Sequence, residues 1–107
     1  MPEQSQLVSK AFQAFMSEAP NHAKAWSAAV QALAGASALD EKTSALAYLA
    51  VLAALRMEGG VPFHVQAAKK AGASRQEIIS AILIGLPAAG NAVTVCLPAA
   101  LAAFDSG

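Results

Sequence analysis

Residues Leu55 to Ile79 read LRMEGGVPFHVQAAKKAGASRQEII. Gly59-Gly60 is a stop for the apolar helix before it, and Pro62 suits the first turn of the next helix, where a missing N–H costs nothing. Lys69 and Lys70 fall in the last turn of that helix, where positive charge is favoured, and Gly72 ends it. Ser74-Arg75-Gln76-Glu77 has the capping-box form S-x-x-E, followed at once by Ile78 and Ile79. Two helices punctuated this clearly, with no strand-like alternation around them, point to an all-α fold.

Outward from this stretch the same pattern continues. Gln4 to Glu18 places Leu7, Val8, Ala11, Phe12 and Phe15 at helical spacing, and Ala19-Pro20 ends that run. Asn21 is a candidate cap for a helix from His22 to Ala34, with Trp26, Ala29, Val30 and Leu33 on one face and Gly35 as its stop. Asp40 caps a third helix, about Glu41 to Met57, which is apolar nearly all round after Ser44. A helix without a polar face is central in its fold or sandwiched between subunits. Beyond the capping box, a fifth helix runs to about Leu86, where Pro87 and Gly90 interrupt it. A sixth runs from about Asn91 to Phe104, and Pro98 inside it predicts a kink or an early end. The expectation is a compact bundle of about six helices in one domain, residues 1–107.

Apolar residues make up 56% of the 107 and charged residues 13%, about half the share of a typical soluble domain. A chain this short cannot hide so much apolar surface in one core. The surplus needs a partner subunit or a membrane. From Ile78 to Phe104 no residue is charged, but Pro87, Gly90, Asn91 and Pro98 divide the run into pieces too short to span a bilayer, and Glu77 and Asp105 flank it rather than Lys or Arg. A homo-oligomer without membrane contact is the better expectation. The net charge of zero leaves no electrostatic footprint for nucleic acid, and the Lys69-Lys70 doublet is too small to track phosphates. The single cysteine, Cys96, allows no intrachain disulfide and no metal-binding spacing, and no cofactor motif is present. MPEQSQLVSK does not read as a signal peptide. A reducing, cytoplasmic setting fits.

His64, two residues after Pro62, occupies the first turn of a helix, where the positive end of the helix dipole favours neutral imidazole. Glu58 lies six residues earlier across the glycine bend, and a tight bend could fold its carboxylate back to the ring. A carboxylate–imidazole pair is a minimal kit for general acid–base chemistry. The competing reading is a histidine bonded to backbone at a helix start, with Glu58 solvated. Met57, Gly60, Phe63, Arg56 and Tyr48 are candidates to line the same place. Tyr48 lies on an apolar helix, so its hydroxyl needs a partner. Trp26 reads as core or interface, His22 as a solvated residue, and Cys96 as a small buried hydrophobe.

Three segments together carry a resemblance: Leu39-Asp40-Glu41-Lys42-Thr43, the run His64 to Ile78 (HVQAAKKAGASRQEI), and Ala100-Leu101-Ala102-Ala103-Phe104-Asp105. Their pattern resembles the carboxymuconolactone decarboxylase / alkylhydroperoxidase D-like family over about residues 39–105, with residues 1–38 as N-terminal helices before that family core. The resemblance implies an all-helical subunit that assembles into trimers or hexamers. In the peroxidase-type branch a C-x-x-C precedes the histidine, and a glutamate lies twelve residues before its first cysteine. This chain has Met57, Gly60 and Ala45 at those places, so it lacks the thiol nucleophile and the acid. The decarboxylase-type branch has no cysteines and carries a glutamate where Glu58 stands. Its later histidine and tyrosine are replaced here by Ile84 and Ala88. Arg56 is the one arginine near enough in sequence to act as a carboxylate clamp.

The sequence therefore supports two readings. One is a cysteine-free acid–base site on a small molecule, decarboxylase- or lyase-like, with His64 transferring protons and Glu58 orienting it or acting as a second acid. The other is a non-enzymatic oligomeric binding or assembly module that kept the fold and lost the peroxiredoxin-type chemistry.

Overall fold

A computed structural model describes residues 8–107, and every regular element among them is helical. In chain order these are α1 (Lys10–Glu18), α2 (Pro20–Ala36), α3 (Glu41–Ala54), a 3-10 turn (Glu58–Gly60), α4 (Val61–Lys70), α5 (Arg75–Leu83), the single-turn α6 (Leu86–Ala89), a second 3-10 segment (Asn91–Cys96) and α7 (Leu97–Asp105).

Local sequence explains most of these boundaries. The Ser9 hydroxyl accepts from Phe12 N–H at 3.2 Å to start α1; the part of the expected helix between Gln4 and Leu7 lies outside the described residues. Asp40 caps α3 as expected, its carboxylate accepting from Thr43 N–H at 2.7 Å. The Ser74–Glu77 capping box forms in both directions, at 3.1 and 2.9 Å.

Proline gives the main departure from expectation. Pro20, Pro62, Pro87 and Pro98 all sit in the first turn of a helix. Pro98 therefore kinks nothing: the chain from Asn91 to Cys96 winds as a 3-10 helix, and the α-helix begins at Leu97. Pro20 likewise opens α2, so Asn21 lies inside the first turn instead of capping it, and Gly35 is passed without a break.

The third helix stops at Ala54, before the glycines. Arg56 takes the left-handed conformation, φ 57°. Met57 N–H then donates to Leu52 C=O and Arg56 N–H to Ala53 C=O, the paired bonds of a Schellman stop. The same pair closes α4, where Ala73 N–H reaches Ala68 C=O, Gly72 N–H reaches Lys69 C=O, and Gly72 has φ 101°. One stop uses glycine, for which this backbone is free, and the other uses arginine, for which it is strained.

The core lies among α3, α4, α5, α7 and the second 3-10 segment. Leu49, Leu52, Val61, Val65, Ile78, Ile82 and Val93 are its large buried side chains, with Ala53, Ala68, Ala100 and Cys96 filling between them. α3 packs on α4 and α5, and α4 packs on α7. The alanines let these helix axes approach closely. By contrast α1 and α2 bury no residue. No helix among the described residues is long and apolar enough to cross a membrane.

Candidate functional site

The α3 stop and the Glu58–Gly60 turn deliver the chain into α4, and they fix where His64 sits. The turn is closed by Gly60 N–H donating to Met57 C=O at 3.1 Å. α4 then starts with no side-chain cap. Val61 and Val65 face the core and are fully buried, which turns Phe63 and His64 to the half-buried flank of the helix. The beginning of α1 lies over the same turn: a β-carbon added at Gly59 would come within 3.4 Å of the Ser9 β-carbon.

His64 meets two rings. Tyr48, from α3, lies with its centroid 4.4 Å from the imidazole at a 35° tilt. Phe63 presents its ring edge-on at 5.2 Å and 75°. No hydrogen bond or ion pair among the described residues engages the imidazole. Burial lowers the His64 pKa from its ordinary 6.5, because desolvation penalises the charged ring. The imidazole is therefore neutral at neutral pH, with its ring nitrogens uncommitted among the described residues.

Glu58 is exposed at the start of the 3-10 turn. No hydrogen bond or ion pair among the described residues joins it to His64, and the imidazole responds to burial alone. The charge of Glu58 is felt elsewhere. Together with burial, the larger cause, it pushes the Cys96 thiol above its ordinary 9.0. Cys96 itself is fully buried in the core. A thiol held protonated and out of solvent is a poor nucleophile.

The other expected residues scatter around this centre. Met57 and Tyr48 are about half exposed, at 51% and 47%, so water can satisfy the Tyr48 hydroxyl, which has no hydrogen-bond partner among the described residues. Arg56 is exposed on the strained residue of the helix stop. Gly60 is half-buried, and a β-carbon there would make ordinary contact with Leu52 at 3.6 Å. Ala45 packs against the core, while Ile84 is 72% exposed and Ala88 is also open to solvent. Trp26, expected in a core or interface, is 54% exposed and so belongs to no core within this chain. Among the described residues no group of three His, Cys, Asp or Glu side chains could hold a metal ion.

Two features were not foreseen in the sequence. The Tyr48–His64 ring contact joins residues on different helices, and only the packing of α3 on α4 creates it. Between α3 and α5 lies an open trough of about 350 Å³, lined by Thr43, Ala47, Ala50, Ser80, Ala81 and Ile84. It lies around the α3 axis from Tyr48, and alanine spacing alone does not distinguish a trough from a packed seam.

Residues 20–105 match the model of the carboxymuconolactone decarboxylase family. The chain belongs to that family. The matched region takes in α2 as well as the helices from Leu39 onward. Among solved structures, the chain is similar to a carboxymuconolactone decarboxylase family protein from Legionella pneumophila, determined in its apo form. The two share 28% sequence identity with a TM-score of 0.74, over 89% of this chain and 85% of that one. No curated protein matches the sequence. Within a carboxymuconolactone decarboxylase family subunit, His64 thus stands at the mouth of α4 with methionine and glycine on the turn before it.

Proposed function

We propose that this family member is a cysteine-free acid–base catalyst acting on a small molecule, decarboxylase- or lyase-like in its chemistry. One observation carries the reading: His64 is half-buried against two aromatic rings, kept neutral by burial, and without a hydrogen bond or ion pair among the described residues. A neutral imidazole can take a proton from a carbon beside a carbonyl. The C–H electron pair then moves into the carbonyl as an enolate; in a substrate that carries a β-carboxylate the C–C pair moves there instead as CO2 leaves, and in either case a proton delivered through the imidazole returns the enolate to the carbonyl form. Glu58 enters as a second acid on the same turn, not as the group that orients His64, since no bond joins the two. Thiol peroxidase chemistry is not part of the proposal. Met57 and Gly60 supply no sulfhydryl, and Cys96 is protonated and enclosed.

The proposal includes assembly with further copies of the same chain, as a trimer or hexamer. Thirteen large apolar side chains are exposed among the described residues, while seven are buried. Tyr48 and Val51 of α3, with Leu55 at its cap, form one stripe beside His64, and Trp26, Val30 and Leu33 of α2 form another. Monomeric proteins rarely leave contiguous apolar surface of more than a few hundred Å² in water. A neighbouring subunit over the α3 stripe would also enclose the His64 site.

The test is turnover on a panel of small lactone and keto acids by the wild type and by His64→Ala. Loss of at least 100-fold in kcat/KM with unchanged helicity is expected. Turnover of every accepted substrate unchanged in His64→Ala would end the proposal. The second reading, a non-enzymatic assembly module, draws on the exposed hydrophobic Ile84 and on the lack, among the described residues, of a hydrogen bond or ion pair between Glu58 and His64. It predicts no turnover in either protein and full assembly in both.

A further inference from the structure

Among the described residues His64 has no hydrogen bond to hold its ring, yet a proton-transfer group works only when its nitrogen points at the reacting atom. In most histidine sites a carboxylate or a backbone carbonyl bonded to one nitrogen supplies that orientation. Here Glu58, the nearest carboxylate in sequence, makes no such bond. What touches the imidazole is aromatic: the Tyr48 ring at 4.4 Å and 35°, and the Phe63 ring edge-on at 5.2 Å.

We propose that Tyr48 is the positioning residue of this site: its ring, laid against one face of the imidazole, fixes the plane of His64 and so the direction of its two open nitrogens. The inference rests on the reading of His64 as the proton-transfer group, but it concerns the ring's geometry and can be tested without turnover.

The geometry separates the two aromatic neighbours. Phe63 adjoins His64 in the chain and is fixed to the same turn of α4, so its contact accompanies any rotation of the helix. Tyr48 belongs to α3, an independent element held against α4 by Leu49, Leu52, Val61 and Val65. Offset or tilted ring pairs at this separation are favourable beyond their area. The phenol also covers one face of the ring from water, which keeps the imidazole neutral. The charged groups on the elements around it are Glu41 and Lys42 in the first turn of α3, Arg56 and Glu58 on the preceding turn, Lys69 and Lys70 at the far end of α4, and Asp105 on α7. None of them shifts His64, and burial is the whole cause of its lowered pKa.

This explains a choice in the sequence. After Ser44, α3 carries alanine, leucine and valine up to Leu55, with Tyr48 the one exception. It is 47% exposed and contributes to no core. Within the subunit a ring at this place touches His64 and not the core side of its own helix.

The experiment is NMR on the ring of His64 in the full-length protein. The chain has two histidines, and His22→Gln assigns the signals. The wild type is expected to show one side-chain rotamer, with ring protons shifted upfield by the phenol. Tyr48→Phe keeps that single rotamer, because the ring and not the hydroxyl positions. Tyr48→Leu and Tyr48→Ala give averaged rotamers. In Tyr48→Ala the pH midpoint for carbethoxylation of His64 by diethyl pyrocarbonate moves up toward 6.5 as water replaces the phenol. Because Tyr48 is half exposed, both ringless variants are expected to keep their far-UV spectrum, and leucine retains apolar bulk if alanine proves unstable. A single fixed rotamer in a folded ringless variant overturns the proposal, and so does rotamer averaging in Tyr48→Phe. Failure of the catalytic reading would appear instead as unchanged turnover in His64→Ala.

Discussion

The last helix of the chain and α2 are both rich in alanine, and they are held in opposite ways. α7 buries Ala100 and Ala103, and its end is tied down by side chains from two other helices. Gln66 donates to the Ala103 carbonyl. Lys69 Nζ donates to the Phe104 carbonyl at 2.6 Å and lies 4.6 Å from the centroid of the Phe104 ring. Arg75 pairs with Asp105 at 3.0 Å. The hairpin of α1 and α2 buries no residue and leaves Phe12, Met16, Trp26, Val30 and Leu33 in solvent. Alanine-rich helices gain little from side-chain bulk and depend on close approach to a neighbour. α7 finds that neighbour inside the chain. For α2 and for the outer face of α3, the proposed neighbour is another copy.

The largest effect that separates the two regions is a core truncation. Ile82→Ala should cost about 3–4 kcal/mol in urea unfolding, the usual range for a fully buried isoleucine. Leu33→Ala, on the exposed hairpin, should change the stability of dilute protein by no more than about 0.5 kcal/mol. A Leu33→Ala cost that grows with protein concentration would place that residue in an interface. Trp26→Lys and Val51→Lys should lower the assembled mass measured by light scattering.

Smaller effects follow at the helix ends. Gln66→Ala removes a bond to a partly buried carbonyl and should cost about 1 kcal/mol. Arg56→Gly should stabilise by about 0.5–1 kcal/mol, since relief of a left-handed non-glycine residue outweighs the added freedom of the unfolded chain. Gly72→Ala at the matching stop should do the reverse.

The pH dependence is smaller again. Unfolded histidine takes up a proton near pH 6.5, while folded His64 resists it to lower pH. Between those values the unfolded state binds more protons, so stability falls as acid is added through pH 6.5. His64→Gln should remove that part of the slope. A separate loss follows at lower pH. Asp40, Glu77 and Asp105 are held below their ordinary values by the Thr43 N–H, Lys42 and Arg75 respectively, and they must be protonated.

Much of the fold was legible because its signals are local. Asp40, Ser74 with Glu77, and Gly72 each act within four residues, and each does what its residue type predicts. The misplaced boundaries came from competition between equally local rules. Pro98 can break a helix or begin one, and the 3-10 segment before it decided for beginning. Arg56 preempted Gly59-Gly60 because a Schellman stop needs only one left-handed residue, and tertiary packing supplied it at an arginine. The candidate site was less legible. His64 could be singled out, but its neighbour Tyr48 is sixteen positions away and meets it only through the packing of α3 on α4. Glu58 is near in sequence, yet among the described residues no hydrogen bond or ion pair joins it to His64. The trough beside Ala47 and Ala50 depends on how closely α3 and α5 approach, which composition does not encode.

The most direct test of the central claim sets two reactions side by side on the same preparation: reduction of a hydroperoxide with a dithiol reductant, and proton transfer or decarboxylation on a small lactone acid, each with wild type and His64→Ala. The account predicts no peroxide reduction above the protein-free rate, and lactone-acid turnover that disappears with the imidazole. Sustained peroxide reduction, or lactone-acid turnover undiminished without His64, would contradict it.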